Sequence, residues 1–243
     1  MAPNFDRDVD WTERLMFLKR ERRRLCAKAK GHVLEVGAGT GRNVDYFKVP
    51  SSGKGVGLPG KFSAKDVTVK SLTFVDQSSR MLDICSKKWE QQHPDLRRGV
   101  RFVAADAGVK GTVQAPPGSG GFDTILQTMG LCSVAKPIEY LKTMQDLLRR
   151  PEPDGSAGGR ILLLEHGRGH YDWINRLLDG LAKGHADRYG CWWNRDIAQI
   201  VVDSGLKVVS LRRRHFGTTW ILELEHPDVA QKSATNGTIR TQK

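Results

Sequence analysis

Five short apolar runs that alternate with helix-like segments constrain the fold of this chain more than any other feature. The runs lie at 32–36, 72–75, 100–104, 122–126 and 161–164. Helical patterns occupy 78–89, after a serine that can cap a helix, and 137–150, which opens on Pro137. Strands that are joined by crossover helices run parallel and are covered on both faces. The alternation therefore predicts an α/β fold around a buried parallel sheet.

The C-terminal part of the chain breaks this alternation. Two strand-like runs, 207–211 and 218–224, are separated only by the basic turn 212–217. Such a short connection is typical of a β-hairpin, whose strands are antiparallel. We therefore expect an antiparallel hairpin at the end of the parallel sheet.

The chain carries a net positive charge. Its 39 Lys and Arg residues against 27 Asp and Glu residues give a formal charge of +12. This balance favours an acidic partner, which can be a nucleic acid, an anionic membrane surface or an anionic metabolite. The bases cluster at 19–24, 97–101 and 212–214. Because Leu18 and Leu25 recur at helical spacing around the first cluster, we expect its bases on the solvent-exposed face of a helix.

Composition also excludes some classes of protein. No apolar run approaches the roughly 18 residues that span a bilayer, and the first ten residues lack the apolar core of a secretory signal. The four cysteines, Cys26, Cys85, Cys132 and Cys191, are far apart and form no C-x-x-C pair. We therefore expect neither a spanning helix nor a signal, and we interpret the cysteines as free thiols in a reducing compartment.

A glycine-rich turn follows the first strand, where residues 35–41 read EVGAGTG. Glycines let a ligand approach the backbone, and a helix predicted over 42–47 would offer free N–H groups at its start. The alternative is the dinucleotide fingerprint G-x-G-x-x-G, but its third glycine falls at Arg42. Glu35 favours a cationic ligand, because a carboxylate repels a pyrophosphate.

Two further acids follow the second and third strands. Open α/β sheets bind ligands at the carboxyl ends of their strands, where Asp76 and Asp106 stand. The carboxylate of Asp76 can accept both hydroxyls of a ribose, and Asp106 can accept from an adenine amino group. The alternative for each is a helix cap, a position at which Asp is common. Capping alone does not account for three acids on three successive strands.

These residues resemble the class I S-adenosylmethionine-dependent methyltransferases, over about 33–224. Segment 34–41 is similar to their first cofactor motif, Asp76 to their ribose-binding acid, Asp106 to their adenine-side motif and Gln127 to their fourth motif. The resemblance implies a Rossmann-like, seven-stranded, mostly parallel sheet with an antiparallel C-terminal strand and helices on both faces. It implies S-adenosylmethionine as cofactor and S-adenosylhomocysteine as product. The implied cofactor residues are Glu35, Gly37, Ala38, Gly39, Thr40, Gly41, Asn43, Asp76, Gln77, Met81, Asp106, Ala107 and Gln127.

Three stretches narrow the resemblance. Segments 131–134, 164–167 and 190–196 are similar to the group that contains the alkyl-thiol methyltransferases and the fungal mitochondrial methyltransferase-like proteins. This implies methylation of a small molecule, with a thiol preferred. Members commonly carry an N-terminal hydrophobic anchor and a Tyr-Asp lid, whereas this chain begins without an anchor and has Phe5-Asp6 at the nearest equivalent position. We therefore expect a cytoplasmic location, with a mitochondrial or membrane-peripheral one as the alternative.

The resemblance also predicts the domain organisation of the chain. We predict a single methyltransferase domain over 1–226, whose N-terminal segment 1–31 is a basic helix that can serve as a lid. Segment 50–70 is an inserted loop by its Gly, Ser and Lys content, and 166–196 is expected to form the substrate side. The polar tail 227–243 lacks periodicity and is predicted to be disordered.

His166 is the first candidate for a general base or for a group that polarises a thiol, since it ends the fifth strand. A structural histidine is the alternative, and His170 is the second catalytic candidate. The i, i+4 spacing of the two histidines suits zinc only on a helix, and Gly167 and Gly169 argue against one, so no metal site is expected. Trp192 and Trp193 are interpreted equally as a core anchor or as a substrate wall, whereas Cys132 and Cys191 are interpreted as buried apolar residues.

Other functions remain open. The same fold could methylate oxygen or carbon of a phenolic or quinone-like metabolite. A nucleic-acid-binding protein and a non-catalytic assembly protein are the alternatives from other classes, but no base-methylating motif follows the fourth strand and no RNA-binding module is recognisable. The expected partner is a small-molecule substrate rather than a nucleic acid, and contact of the basic helix with an anionic membrane surface is a further hypothesis. The sequence leaves the oligomeric state open.

Overall fold

The computed structural model describes residues 16–49, 68–94, 96, 99–152, 154 and 156–227. Phe5-Asp6, most of the inserted loop and the tail from residue 228 lie outside these ranges. None of the helices within them has the length and apolarity needed to cross a bilayer. The strands are β1 (Gly31–Val36), β2 (Val69–Asp76), β3 (Val100–Ala104), β4 (Thr124–Thr128), β5 (Arg160–His166), β6 (Lys207–Arg214) and β7 (Thr219–Glu225). The α-helices are α1 (Leu18–Cys26), α2 (Ser79–Gln92), α3 (Pro137–Leu147), α4 (Asp172–Tyr189) and α5 (Ile197–Ser204).

The seven strands form one sheet in the order β3-β2-β1-β4-β5-β7-β6. Strands β1 to β5 pair in parallel, whereas β7 is antiparallel to both β5 and β6. The predicted Rossmann-like fold with a C-terminal hairpin is therefore confirmed. The strand order reverses direction between β1 and β4, and such a switch point leaves a crevice at the carboxyl ends of the strands.

Successive residues along the strands contribute to two hydrophobic cores. Leu34 of β1 packs in the first core with Leu141 of α3. Val33, the preceding residue of β1, packs in the second core with Leu25 of α1 and Leu82 of α2. Because neighbouring side chains of a strand point to opposite faces, the two cores cover the two faces of the sheet. This arrangement holds the strand ends, and the residues that follow them, in fixed positions.

The local structure differs from the sequence prediction at two places near the strand ends. The helix predicted over 42–47 is only the 3₁₀ turn Val44–Tyr46, because Phe47 is already extended. The glycine turn is therefore not followed by an α-helix N-terminus. The fourth strand is Thr124–Thr128 where 122–126 was predicted, since Phe122 makes only a single bridge to Leu148.

Helix α1 buries two charged residues, contrary to the prediction that its bases occupy the solvent-exposed face. Glu21 and Arg22 are 3% and 4% exposed. The carboxylate of Glu21 forms ion pairs with Arg24, Arg212 and Arg214 at N–O distances of 2.9, 2.9 and 3.1 Å. Part of the basic cluster at 212–214 is thus paired with α1, and these contacts attach the helix to β6.

Candidate cofactor and acceptor site

A cavity of about 1150 Å³ opens at the carboxyl ends of the parallel strands. Its wall contains residues that follow β1, β2, β3 and β4, together with His166 at the end of β5 and residues near the end of α4. The cavity therefore occupies the switch point of the sheet. Most of the predicted cofactor residues line it: Glu35, Gly37, Ala38, Gly39, Thr40, Asp76, Gln77, Met81, Asp106, Ala107 and Gln127.

Three predicted site residues lie outside the cavity wall. Gly41 and Asn43 are absent from the lining, although Asn43 is buried directly behind it. His170 is exposed and packs beside the turn at Gly217, so the structure does not bring it to His166. The i, i+4 spacing of the two histidines does not place both at the cavity, because no helix connects them.

The glycines of the turn are required for two different reasons, ligand approach and packing. Gly37 and Gly39 have φ angles of 64° and 56°, and a Cβ atom on either would meet nothing within 4 Å. Their backbone therefore borders open space at the cavity, where a ligand can approach closely. Gly41, with φ of 77°, is different, because its Cβ would lie 2.9 Å from the sulfur of Cys85 on α2. The third glycine is required for packing.

Asp76 and Asp106 organise the loops that follow their strands. Asp76 accepts from the backbone N–H of Gly39 at 2.8 Å and from that of Ser78 at 2.9 Å. Asp106 accepts from the N–H of Gly108 at 2.8 Å. The helix-cap interpretation of Asp76 is wrong, because Ser78 is the N-cap of α2. Each carboxylate oxygen can accept more than one hydrogen bond, so both acids keep acceptor capacity toward the cavity.

A buried polar network supports Glu35. Its Oε1 accepts from Asn43 Nδ2 at 2.9 Å, and Asn43 Oδ1 in turn accepts from Arg22 Nη1 at 3.1 Å. Arg22 and Asn43 both also donate to the hydroxyl of Thr128. Burial raises the pKa of Glu35 from 4.5 to about 7, and the hydrogen bond from Asn43 and the charge of Arg22 limit the rise. Asn43 is thus a positioning residue for Glu35.

Two buried acceptor atoms in the cavity wall have no hydrogen-bond partner within the part of the chain that the structure describes. They are Glu35 Oε2 and Gln127 Oε1. Gln127 is held through its amide nitrogen, which donates to Tyr140 at 3.1 Å. A buried polar atom without a partner is costly, and a ligand that donates hydrogen bonds removes the cost. A cationic ligand bearing N–H groups fits this wall.

Sequence reasoning missed several residues of this site. Arg22 was assigned to a solvent-exposed face, and Tyr140 was not singled out. Thr128 follows Gln127 and ends β4. Its position at the carboxyl end of a strand was the one signal in the sequence that could have identified it as a site residue. Arg22 and Tyr140 reach the site from helices, and helical spacing does not reveal which strand end a helix overlies.

The far end of the cavity carries a different set of side chains. It is lined by His166, His185, Tyr189, Cys191 and Trp193. The ring of His185 stacks on that of Trp193 at 3.9 Å between centroids, and the indole N–H of Trp193 donates to the carbonyl of Leu178 at 3.1 Å. Trp193 thus contributes to the cavity wall, whereas Trp192 is 44% exposed.

Beside this end lies a cluster of Cys132, His166 and Cys191, whose ligand atoms all lie within 4.8 Å of one another. All four cysteines are free and buried. The hydrogen bond from Cys191 and burial raise the pKa of the Cys132 thiol above its ordinary value. His166 and His170, whose spacing argued against a metal site, do not lie together. The structure instead brings His166 together with two thiols.

The switch-point cavity, the glycine turn after β1 and the acids after β2 and β3 form the arrangement expected of the class I methyltransferase fold. Residues 9–211 match a family described as a methyltransferase domain, and the chain belongs to that family. It is 34% identical over 241 residues to the mitochondrial methyltransferase OMS1 of Saccharomyces cerevisiae. That alignment covers 95% of this chain and 46% of OMS1, so the chain spans about half the length of this relative. The predicted resemblance to the fungal mitochondrial group is confirmed.

Solved structures agree in fold. A putative methyltransferase of Haloferax volcanii, in complex with the methyltransferase activator Trm112, has a TM-score of 0.59 and 11% identity, over 93% of this chain and 96% of that chain. Magnesium protoporphyrin IX methyltransferase of Synechocystis, with bound S-adenosylhomocysteine, has a TM-score of 0.50 and 14% identity, over 92% and 84%. At such low identity these similarities concern the fold alone.

Proposed function

We propose that this chain transfers the methyl group of S-adenosylmethionine to the thiol of a small molecule bound in the same cavity. The observation that carries the proposal is the continuity of the cavity. It joins the glycine turn and Asp76 at one end to His166, Cys191 and Trp193 at the other. Its volume of about 1150 Å³ exceeds the usual range for one small ligand, roughly 300–1,000 Å³, and leaves room for cofactor and acceptor together.

The cofactor end has a complementary group for each part of S-adenosylmethionine. We assign the ribose hydroxyls to the carboxylate of Asp76 and the adenine amino group to Asp106. The α-ammonium group pairs with Glu35, whose free Oε2 is a buried acceptor. Gly37 and Gly39 leave the space in which the ligand approaches the backbone. The remaining lining residues, Ala38, Thr40, Gln77, Met81, Ala107 and Gln127, complete the wall.

The bound cofactor supplies a sulfonium electrophile, so the protein has to align a nucleophile and allow it to lose a proton. The acceptor sulfur forms the new bond to the methyl carbon, and the electrons of the old carbon–sulfur bond stay on the departing sulfur. A thiol with a pKa near 8.5 is partly ionised at neutral pH, whereas a phenol near 10 needs more help. The aromatic and apolar side chains at the acceptor end suit a small apolar thiol.

The first test combines cofactor binding with an acceptor panel. S-adenosylmethionine and S-adenosylhomocysteine are titrated calorimetrically into wild type, Asp76→Ala and the surface control Asp83→Ala. Alkyl and aryl thiols, phenols and quinols are then incubated with the same samples, and methylated products are measured by mass spectrometry. We expect binding that only Asp76→Ala weakens, and methylated thiols. Methylation confined to phenols or quinols would replace the thiol proposal with oxygen or carbon methylation.

A peripheral contact with an anionic membrane is the second part of the proposal. Trp173, Leu177 and Leu181 follow one another at four-residue spacing on α4 and are 57%, 56% and 53% exposed. Phe216 extends this apolar stripe, with its ring 6.5 Å from that of Trp173. Exposed Arg176 lies beside the stripe. An apolar stripe with a neighbouring base in a chain of net charge +12 suits an anionic lipid surface.

We further propose a mitochondrial location, the alternative to the cytoplasmic one expected from the sequence. The support is the similarity to OMS1, which is named as a mitochondrial protein. Fractionation of cells that express the protein with a C-terminal tag tests this proposal. Recovery of the protein in the cytosolic fraction alone would contradict it.

A further inference from the structure

Three side chains from separate elements converge at the acceptor end of the cavity. Cys132 lies in the 3₁₀ turn Leu131–Ser133 after β4, His166 ends β5, and Cys191 follows the C-terminal cap of α4. The sulfur of Cys191 lies 3.5 Å from Nε2 of His166 and 2.8 Å from the sulfur of Cys132. All three belong to one compact group of potential metal ligands.

The distances suit a tetrahedral zinc ion. Zinc binds sulfur at about 2.3 Å and imidazole nitrogen at about 2.0–2.1 Å, so two of its ligands lie about 3.5 Å apart for sulfur and nitrogen and about 3.8 Å apart for two sulfurs. The pair of Cys191 and His166 already has this spacing. The two sulfurs need to separate by about 1 Å, which small rotations of the cysteine side chains provide.

The surroundings hold the cluster in place. The carbonyl of Cys132 accepts from the backbone N–H of Trp192 at 3.1 Å and from Nε of Arg195 at 3.1 Å. These bonds tie the turn that carries Cys132 to the segment that carries Cys191. A zinc ion with two thiolates and a neutral imidazole has no net charge, and Arg195 donates to the carbonyls of Cys132 and Val134 beside it. A thiolate as the fourth ligand adds one negative charge, which the guanidinium of Arg195 can balance.

Three protein ligands leave one position of a tetrahedral ion free. Zinc sites that serve catalysis have this composition, whereas structural sites are closed by four protein ligands. His166 and Cys191 both line the cavity, so the fourth position faces the acceptor end. A thiol that binds zinc is deprotonated, which makes its sulfur available for attack at neutral pH.

We propose that Cys132, His166 and Cys191 bind a zinc ion and that the acceptor thiol is its fourth ligand. Binding of the ion releases the two cysteine protons, and binding of the acceptor releases its thiol proton to solvent. The coordinated sulfur then takes the methyl group, and the neutral thioether leaves the metal. No electron transfer is involved. The role in activating the acceptor rests on the proposed thiol methylation, whereas binding of the ion does not.

Metal content is the first test. Reduced protein is incubated with Zn²⁺, desalted and analysed for metal, and Co²⁺ is used in parallel for the absorption of its thiolate bonds. We expect about one ion per chain in wild type and thiolate-to-cobalt absorption. Cys132→Ser, Cys191→Ser and His166→Gln should lose most of the metal, while the matched controls Cys26→Ala and His170→Gln should keep it. Binding of S-adenosylmethionine to each variant shows that it is folded.

Two results would overturn the site. One is a reduced wild-type protein that holds far less than one ion per chain, or variants that hold as much metal as wild type. The other is a Cys132–Cys191 disulfide, detected by blocked thiols and a mass lower by two hydrogens, that forms in air even when the reduced protein is first loaded with Zn²⁺. In that case the short distance between the two sulfurs would indicate a disulfide-forming pair of cysteines and not a metal site.

Removal of the ion separates this inference from the proposed function. After chelation, turnover of a thiol acceptor should fall by about tenfold or more, with affinity for S-adenosylmethionine unchanged, and Zn²⁺ should restore it. Thiol methylation that survives chelation would overturn the catalytic role and leave the proposed function intact. Stoichiometric zinc without methylation of any thiol would support the metal site and contradict thiol methylation.

Discussion

Glu35 illustrates how one buried side chain links folding to ligand binding. Its carboxyl has a pKa of about 7 because burial disfavours its charge. The folded protein therefore holds this proton more tightly than the unfolded chain, whose Glu has a pKa near 4.5. The stabilisation from that proton is complete below about pH 4.5 and is lost as the pH rises through about 7. A bound cation would favour the ionised form instead.

We accordingly expect the affinity for S-adenosylmethionine to rise with pH up to about 7, by at most tenfold per unit, because binding to the ammonium group requires ionised Glu35. Glu35→Gln should bind more weakly above pH 7 and show a flatter profile. Calorimetric titration at several pH values measures both, with Glu90→Gln on the exposed face of α2 as the control. An unchanged slope in Glu35→Gln would assign the dependence to another group.

The glycine turn offers a matched pair of substitutions. Gly39→Ala places a methyl group in the open space at the cavity, so we expect a loss of affinity for S-adenosylmethionine in addition to the strain of about 1–2 kcal/mol that a positive φ imposes on alanine. Gly41→Ala forces a contact with Cys85 at positive φ, and we expect a loss of about 1–3 kcal/mol in the free energy of unfolding. Urea unfolding and calorimetry distinguish the two. The reverse pattern would contradict the division of tasks within the turn.

At the scale of elements, helix α1 is attached to the sheet by buried charges as well as by apolar contacts. Arg22 reaches from α1 to Asn43 after β1 and to Thr128 at the end of β4. Glu21 connects the same helix to β6 through Arg212 and Arg214. Helix α1 is therefore part of the cavity wall, to which it contributes Arg22.

Arg22→Ala should lower the free energy of unfolding by about 3–5 kcal/mol, because it removes one member of a buried charged network. Arg20→Ala, an exposed change one half-turn away, should stay within about 0.5 kcal/mol of wild type. Urea unfolding measures both free energies. Equal effects of the two substitutions would show that the network contributes little.

At the scale of the whole molecule, the net positive charge and the exposed apolar stripe on α4 both favour contact with an anionic membrane. The exposed stripe on α4 belongs to the same helix whose end lines the acceptor side of the cavity through His185 and Tyr189. A lipid surface against this helix would lie next to the acceptor site. Apolar acceptors could then reach the cavity from the membrane.

The double variant Trp173→Asp/Leu177→Asp should reduce partitioning onto anionic vesicles by about tenfold or more, because two large apolar side chains no longer enter the interface. Vesicle flotation measures the bound fraction, and Val202→Asp on α5 is the control at an exposed apolar site of another helix. Equal flotation of the double variant and the control would place the contact elsewhere, and no binding of the wild type would remove the proposal.

The order of the elements, the class of fold and most of the cofactor end were determined by the sequence alone. Strand and helix periodicity is a local property, and parallel strands end at one edge of a sheet. Glu35, Asp76 and Asp106 could therefore be placed together without a structure. The packing role of Gly41 was not predicted, because the sequence of the turn does not reveal that Gly41 lies next to Cys85 on α2.

Only the tertiary structure decided which distant residues meet. The strand order places β4 next to β5, and this brings Cys132 and His166 together. Helix α4 then leads the chain back to the same end of the sheet, where Cys191 lies beside them. The same packing buries Arg22 and leaves His170 exposed. Periodicity tells which face of an element is apolar, but the partner of that face is set by contacts between residues far apart in the chain.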